Sequence, residues 1–378
     1  QSIIVPDSLT SMGEQAFYEC IWMTSANIPD GVMSIGREAF RSCNQLQSIT
    51  LPTNSNFTTI EDQTFWACHK LTTVTIPDNI TSIGFESFAY IYNLPSINTN
   101  NVLTIGEKAF VGCPSCQSIT LGASLTSIGR WAFYGHQKLA SIFIYANVVG
   151  KEYFLSEYFR RSTSKLRHIT LGENVTTIGK WAIGGVNITS LNIIGTNITS
   201  IGESAFENAR YMHVHLNLPN LTVLGNRAFH NCGIRGFTFG TGITSIGEYT
   251  FYGSGLTSIN IPDHVTSISG IRQFMNCTSL QSVTIGNGIS TIAQQTFQGC
   301  TSITSVTFGD SVTTIGLQAF QSCTSLQSLT IPDNITTIDV AAFRLCTSLQ
   351  SVTIEGGSLV SNVFMDCTAL ESVTIGNS

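Results

Sequence analysis

The sequence predicts a repeat solenoid, one domain over residues 1–378 coiled into about sixteen turns. Three observations predict it. Three adjacent segments are copies of one 23-residue unit: TSLQSVTIGNGISTIAQQTFQGC from Thr278 to Cys300, TSITSVTFGDSVTTIGLQAFQSC, and TSLQSLTIPDNITTIDVAAFRLC. A column of Phe recurs, mostly every 22 to 25 residues, at Phe17, Phe40, Phe65, Phe88, Phe110, Phe133, Phe159, Ile183 (the one substitution), Phe206, Phe229, Phe251, Phe274, Phe297, Phe320, Phe343 and Phe364. Within each unit, apolar positions alternate with Ser and Thr. Such internal periodicity outranks chain length as a guide to architecture.

Each element of the unit follows from its residues. Val283 and Ile285 alternate with Ser282 and Thr284, as in a short strand with one face inward and one outward. Pro-Asp or Gly-Asn comes next (Pro29-Asp30, Pro77-Asp78, Pro262-Asp263, Pro332-Asp333), which turns the chain through the fixed φ of Pro and local bonds from Asp and Asn. A second short extended piece ends in Ile-Gly (Ile35-Gly36, Ile83-Gly84, Ile201-Gly202, Ile315-Gly316), where Gly suits a corner with unusual backbone angles. A brief helical turn then carries Ala-Phe into the core (Ala39-Phe40, Ala205-Phe206, Ala319-Phe320). One unit cannot bury its apolar face alone, so the units stack into a continuous core.

Composition bounds the function classes. Hydrophobic residues make up 42% and charged residues only 11%, so the polar surface rests on neutral hydroxyls and amides. Residues 1–235 carry 15 basic and 15 acidic side chains, and residues 236–378 carry two basic and eight acidic. No basic face suits phosphate neutralisation, which argues against nucleic acid. No apolar run approaches the 18 or so residues of a membrane span. The chain opens and closes mid-unit with no end-capping turns, which predicts either a part of a longer protein or ends covered by neighbouring molecules.

Regularity breaks over residues 143–167, FIYANVVGKEYFLSEYFRRSTSKLR, where the Phe133-to-Phe159 spacing of 26 implies three inserted residues. Five of the seventeen basic residues fall there (Lys151, Arg160, Arg161, Lys165, Arg167), with Tyr145, Tyr153, Phe154 and Tyr158. Two readings stand. The stretch is a tolerated loop whose aromatics cover irregular core, or its basic and aromatic side chains are binding anchors. The outward strand face is otherwise a ladder of small hydroxyls that departs at Phe143, His168, His213 and His215. The predicted binding residues are therefore Phe143, Tyr153, Tyr158, Arg160, Arg161, His168, His213 and His215.

Other reactive residues have structural explanations. Ten of the eleven cysteines sit three residues after the Phe column, as a ladder of small buried hydrophobes, and they are expected to be free thiols. Cys113 and Cys116 form a CxxC pattern, but Cys116 occupies the Leu280 column. His213 and His215, at i and i+2 on a strand, share a face, yet no third metal ligand accompanies them. Six Asn-x-Ser/Thr sequons fall at the turn after the strand, at Asn56, Asn79, Asn174, Asn197, Asn220 and Asn334, where a secreted eukaryotic protein can carry glycans. With Asn187 and Asn276 the chain has eight sequons, about the number chance gives in a chain so rich in Asn, Ser and Thr. No phosphate loop, nucleophile elbow or paired carboxylates appear, so no catalytic residue, metal or cofactor is predicted.

The unit Leu-x-Ser-Val-Thr-Ile-Pro-Asp…Ile-Thr-Ser-Ile-Gly…Ala-Phe-x-x-Cys resembles the leucine-rich repeat of the BspA-like type across essentially the whole chain. The resemblance implies an arc with a parallel β-sheet on its concave face and short strands or helical turns on its convex face. It also implies a non-enzymatic cell-surface or secreted adhesin that binds host or extracellular-matrix proteins. Family membership does not choose the partner. The other reading is a structural protein assembling end to end, through copies of itself, into a fibre or surface layer. An ice-binding role for the Ser/Thr ladder would need a flat sheet, and the implied arc is curved.

Overall fold

The computed structural model describes residues 2–159, 161–356 and 358–376. It comprises two compact units, one of residues 1–176 with 186–195 and the other of residues 177–185 with 196–378.

In the first unit the outward-facing strands form two parallel sheets. One contains Ser2–Ile4, Ser25–Asn27, Ser48–Thr50 and Thr73–Val74, and the other runs from Ser96–Thr99 through Ser118–Leu121, Ser141–Ile144 and His168–Leu171 to Ser190–Ile193. In the second unit the corresponding sheets are His215–Asn217 with Gly236–Thr238, then Ser258–Ile261 with Ser282–Ile285 and Ser305–Thr307, then Ser328–Ile331 with Ser351–Ile354 and Ser372–Ile375. Register is in step with the repeat: Ser282 faces Ser258 on one side and Ser305 on the other, and Val283 faces Val306. A one-residue slip would turn Val283 and Ile285 to solvent, so the alternation itself holds the register. Two-residue strands such as Thr291–Ile292, Thr314–Ile315 and Thr337–Ile338 form the second line of parallel pairs at the predicted extended piece.

The Phe column is the spine of each core. Rings from Phe17 to Phe159 stack in the first unit with centroids 4.8 to 5.6 Å apart. Rings from Phe206 to Phe364 do so in the second at 5.1 to 5.7 Å. Ile183 takes its place in the column fully buried.

Except at Phe159, which a short helix precedes, the segment around each Phe of the column is not the brief helical turn that the sequence predicts. Residues two before and two after Phe297, Gln295 and Gly299, have φ of 57° and 73°, and the same pair of left-handed positions recurs at Glu38 and Ser42, Lys108 and Gly112, Arg227 and Asn231, and Gln318 and Ser322. A left-handed residue on each side of Phe prevents a helix. Outside Gly this conformation costs about 1–2 kcal/mol per residue. An inter-turn ladder offsets that cost. The N–H groups of Gln295, Phe297 and Gly299 donate to the carbonyls of Leu317, Ala319 and Gln321 at 2.8 to 2.9 Å. Side chains on these positions add rungs, for example Gln295 Nε2 to Gln318 Oε1 at 2.9 Å and Gln63 Nε2 to Glu86 Oε2 at 2.9 Å.

The glycine of Ile-Gly is needed for a different reason from the one its sequence context suggests. Gly36, Gly106 and Gly225 have no positive φ. A Cβ on Gly225 would lie 2.4 Å from Glu203 N, and one on Gly106 would lie 2.7 Å from Gly84 C. The corner takes Gly because consecutive turns press backbone against backbone there.

All eleven cysteines are free thiols, as expected, but they are more than small hydrophobes. Cys43, Cys68, Cys277 and Cys300 each donate Sγ–H to the carbonyl of the Phe one turn earlier, at 3.0 to 3.2 Å. Where the column changes residue, donor chemistry persists. His136 Nε2 reaches Phe110 O at 2.9 Å, and Ser162 Oγ reaches Phe133 O at 2.5 Å. The column supplies a buried donor to an otherwise under-satisfied carbonyl.

Candidate functional site

The irregular stretch is built from its own apolar residues. Asn147–Gly150 is a 3-10 turn that buries Val148 and Val149, and Phe154–Tyr158 is one short helix that buries Phe154 and Leu155. Tyr153 starts that helix from a left-handed conformation and stands 45% exposed. The helix end replaces the usual ladder acceptors: Glu157 O and Tyr158 O receive the N–H groups of Trp131 and Phe133. The aromatics of the insertion therefore divide. Phe154 covers core, packing 5.6 Å from Phe159, whereas Tyr153 faces water and Tyr158 is half-buried, with burial raising its phenol pKa.

Beside this insertion the first unit presents a depression of about 320 Å³, lined chiefly by Glu86, Tyr90, Lys108, Trp131, Tyr134 and Arg161. Its cations lie over its rings. Arg161 is 5.9 Å from the centroid of Tyr134, Lys108 is 5.9 Å from that of Trp131, and Arg130 is 4.6 Å from the same indole. Arg130 also pairs with Glu157 at 3.2 Å, and Lys108 with Glu107 at 3.7 Å and Glu86 at 3.9 Å. Arg161 has no carboxylate partner among the described residues. Trp131 occupies a left-handed position at φ 57°, held by the ladder bond to Glu157 O at 3.2 Å, so the platform is fixed by backbone as well as packing.

The residues singled out in the sequence do not converge. Phe143 and His168 stand on neighbouring strands, with Ser141 opposite His168 and Phe143 opposite Thr170, so they are diagonal neighbours on the strand face. Tyr153, Tyr158 and Arg161 ride on the segment that carries the Phe column. Arg160 lies outside the described residues. His213 and His215 belong to the second unit. Their expected placement on one strand face is wrong. His215 faces Gly236 and Asn217 faces Thr238, while His213 precedes the strand. Both registers satisfy the alternation. The observed one buries Leu216 and Leu218 to 4% and 2% exposure and leaves the smaller Val214 half-buried. The pair therefore shares no strand face for a metal. Trp131, Tyr134 and Tyr90 escaped the sequence reading because they lie in ordinary repeats. The available signal was their spacing, Trp131 and Tyr134 on either side of Phe133 and Tyr90 two after Phe88.

The sequons also divide. Asn56, Asn174, Asn197 and Asn220 are exposed, and Asn79 and Asn334 are half-buried. The side-chain amides of Asn79, Asn220 and Asn334 donate to main-chain carbonyls of the preceding turn, Asn334 to Val312 O at 2.7 Å and Asn220 to Thr196 O at 2.9 Å. Among the described residues no helix is long and apolar enough to cross a membrane.

Stacked parallel turns with a Phe spine and a donor column define a leucine-rich-repeat solenoid. The sequence matches the BspA type leucine rich repeat region, in six copies, over residues 1–103, 87–213, 213–272 and 270–378, and the chain belongs to that family. It is similar to the crystal structure of a leucine-rich repeat protein from Bacteroides ovatus, at 25% identity over 98% of this chain and 86% of that one, with a TM-score of 0.50. It is also similar in fold to a leucine rich cell surface protein from Faecalibacterium prausnitzii (20% identity, 100% and 87% covered, TM-score 0.31) and to the pneumococcal vaccine antigen PcpA (16% identity, 98% and 74% covered, TM-score 0.33). No curated protein matches the chain.

Proposed function

We propose that the chain is a cell-surface or secreted adhesin that binds host or extracellular-matrix proteins through its repeat surface. The observation that carries this reading is the depression formed by Tyr90, Trp131 and Tyr134 with Lys108 and Arg161. Trp, Tyr and Arg are the side chains that dominate protein-binding hot spots, because they contribute large rigid contact area with a polar handle. Arg161, with no carboxylate partner among the described residues, supplies the charge a partner's acidic side chain would meet. Phe143 with His168 forms a smaller patch on the strand face.

Immobilised extracellular-matrix proteins test the reading. The variant Trp131→Ala with Arg161→Gln is expected to bind at least about tenfold more weakly than wild type, the size of effect hot-spot truncations have. Phe143→Ser with His168→Ser is expected to bind more weakly by a smaller factor. Wild-type binding by both variants would remove the proposed surface.

A further inference from the structure

A second depression, of about 380 Å³, lies within the second unit, and nothing in the adhesive reading uses it. It originates in two consecutive shortened turns. The regular unit runs Cys277-Thr278-Ser279-Leu280, but the two turns before it run Cys232-Gly233-Ile234 and Ser254-Gly255-Leu256, each one residue shorter. Ile234, Leu256 and Leu280 are all fully buried in one column, so the missing residue is lost from the surface, and a notch results. Glycine is required at its floor. A Cβ on Gly233 would lie 2.2 Å from Arg210 O and 3.1 Å from the His213 ring, and one on Gly255 would lie 3.1 Å from Gly233 O.

Two guanidinium groups stand in the walls of the notch. Arg210, His213 and Arg235 line it and all three are exposed, while Asn231, Ser254 and Thr278 supply neutral donors and acceptors. Among the described residues no carboxylate lines it. Arg41, Arg130, Arg227 and Arg344 each have an acidic partner within 3.5 Å. Arg210 and Arg235 have none among the described residues, and the guanidinium of Arg235 makes one long contact, 3.5 Å to Gly255 O. Two unpaired guanidinium forks on one concavity form an oxyanion receptor, since such forks match sulfate, phosphate and carboxylate oxygens two at a time. The setting sharpens the contrast, because the following residues 236–378 carry only Arg272 and Arg344 against eight acidic side chains. The volume exceeds a bare ion and falls within the range of small-ligand sites.

We propose that this notch binds a sugar bearing a sulfate or phosphate ester, with Arg210 and Arg235 holding the ester oxygens and Asn231, Ser254 and Thr278 meeting the sugar hydroxyls. This requires neither the adhesin reading nor the depression at Trp131. Isothermal titration of the full chain with N-acetylglucosamine 6-sulfate, N-acetylglucosamine 6-phosphate, unsubstituted N-acetylglucosamine and inorganic sulfate tests it. At least one ester is expected to bind about tenfold or more tightly than the neutral sugar and than inorganic sulfate, and the ratio between the two esters distinguishes sulfate from phosphate as the source. Arg210→Gln and Arg235→Gln are each expected to weaken ester binding about tenfold, as loss of a charged hydrogen-bond donor does, while Arg161→Gln leaves it unchanged. Both substituted side chains are exposed, and an unchanged circular dichroism melt verifies their fold. Equal affinity for the neutral sugar, no measurable binding of either ester, or wild-type ester binding by Arg210→Gln with Arg235→Gln would overturn the proposal.

Discussion

His136 allows the donor column to be tested with a single proton. Its ring is fully buried, Nε2–H donates to Phe110 O at 2.9 Å, and Nδ1 is buried without a partner among the described residues. Burial pushes its pKa down from 6.5 to about 4, with the Phe110 carbonyl opposing the shift. The sign follows from the lowered value. Between those two pH values the unfolded chain holds a proton that the folded chain does not, so stability is complete above the unfolded value. It falls as pH drops through 6.5, and the loss is complete below about 4. At 1.36 kcal/mol per pH unit the whole effect is about 3 kcal/mol, of which about 2 kcal/mol develops between pH 7 and pH 5. Other groups titrate in the same window, so the reference is His136→Cys, which restores the column's commonest donor and removes the titration. Urea unfolding of both proteins at pH 7 and pH 5, with hydrogen exchange read for peptides spanning Phe110 to Phe159, is the assay. Wild type should lose about 2 kcal/mol more than His136→Cys, and the loss should concentrate in those turns. An equal acid-induced loss in the two proteins would refute the buried, neutral, Nε2-protonated assignment.

Further outcomes follow from the same packing. Phe297→Ala, which removes a ring stacked 5.1 Å from Phe274 and 5.2 Å from Phe320, should cost about 3–5 kcal/mol and loosen exchange mainly in its own and adjacent turns. Gly225→Ala, whose Cβ would lie 2.4 Å from Glu203 N, should cost about 1–3 kcal/mol in urea unfolding although its φ is ordinary. Thiol alkylation of the native protein should begin at the two half-exposed thiols, Cys20 and Cys367. Cys43, Cys116 and Cys232, whose pKa values burial pushes up to about 12, should react only on unfolding. Arg227→Gln should cost about 1.5–3 kcal/mol in the same unfolding assay. It takes from the Glu207 carboxylate the two bonds it accepts from Arg227 at 2.8 and 3.1 Å, which with a bond from Ser204 lower its pKa against the larger opposing effect of burial.

The turn count, the strand register outside residues 213–217 and the Phe spine were legible because each rests on a period that side-chain type alone carries. The conformation around Phe was not, because alternating left-handed residues bear Glu, Gln, Arg and Trp as well as Gly. A partial signal existed in the Gly or Asn just before the donor column, at Gly112-Cys113, Asn231-Cys232, Asn276-Cys277 and Gly299-Cys300. His213 was misplaced because Val214, Leu216 and Leu218 alternate equally well in two registers, and only packing chooses between them. The aromatic depression was illegible for a further reason. Tyr90, Lys108, Trp131 and Arg161 lie about one turn apart in sequence, and only the stacking of turns makes them neighbours. The stretch 143–167 reaches that depression only through Arg161, and of its aromatics Phe154 and Phe159 go to the core.

Hydrogen exchange of the wild-type chain with and without a bound extracellular-matrix protein tests the adhesive account most directly. Protection is expected in peptides covering Glu86 to Arg161, centred on Trp131 and Tyr134, and it should vanish in Trp131→Ala with Arg161→Gln. Protection confined to the Ser and Thr strand face, or unchanged by those substitutions, would contradict it.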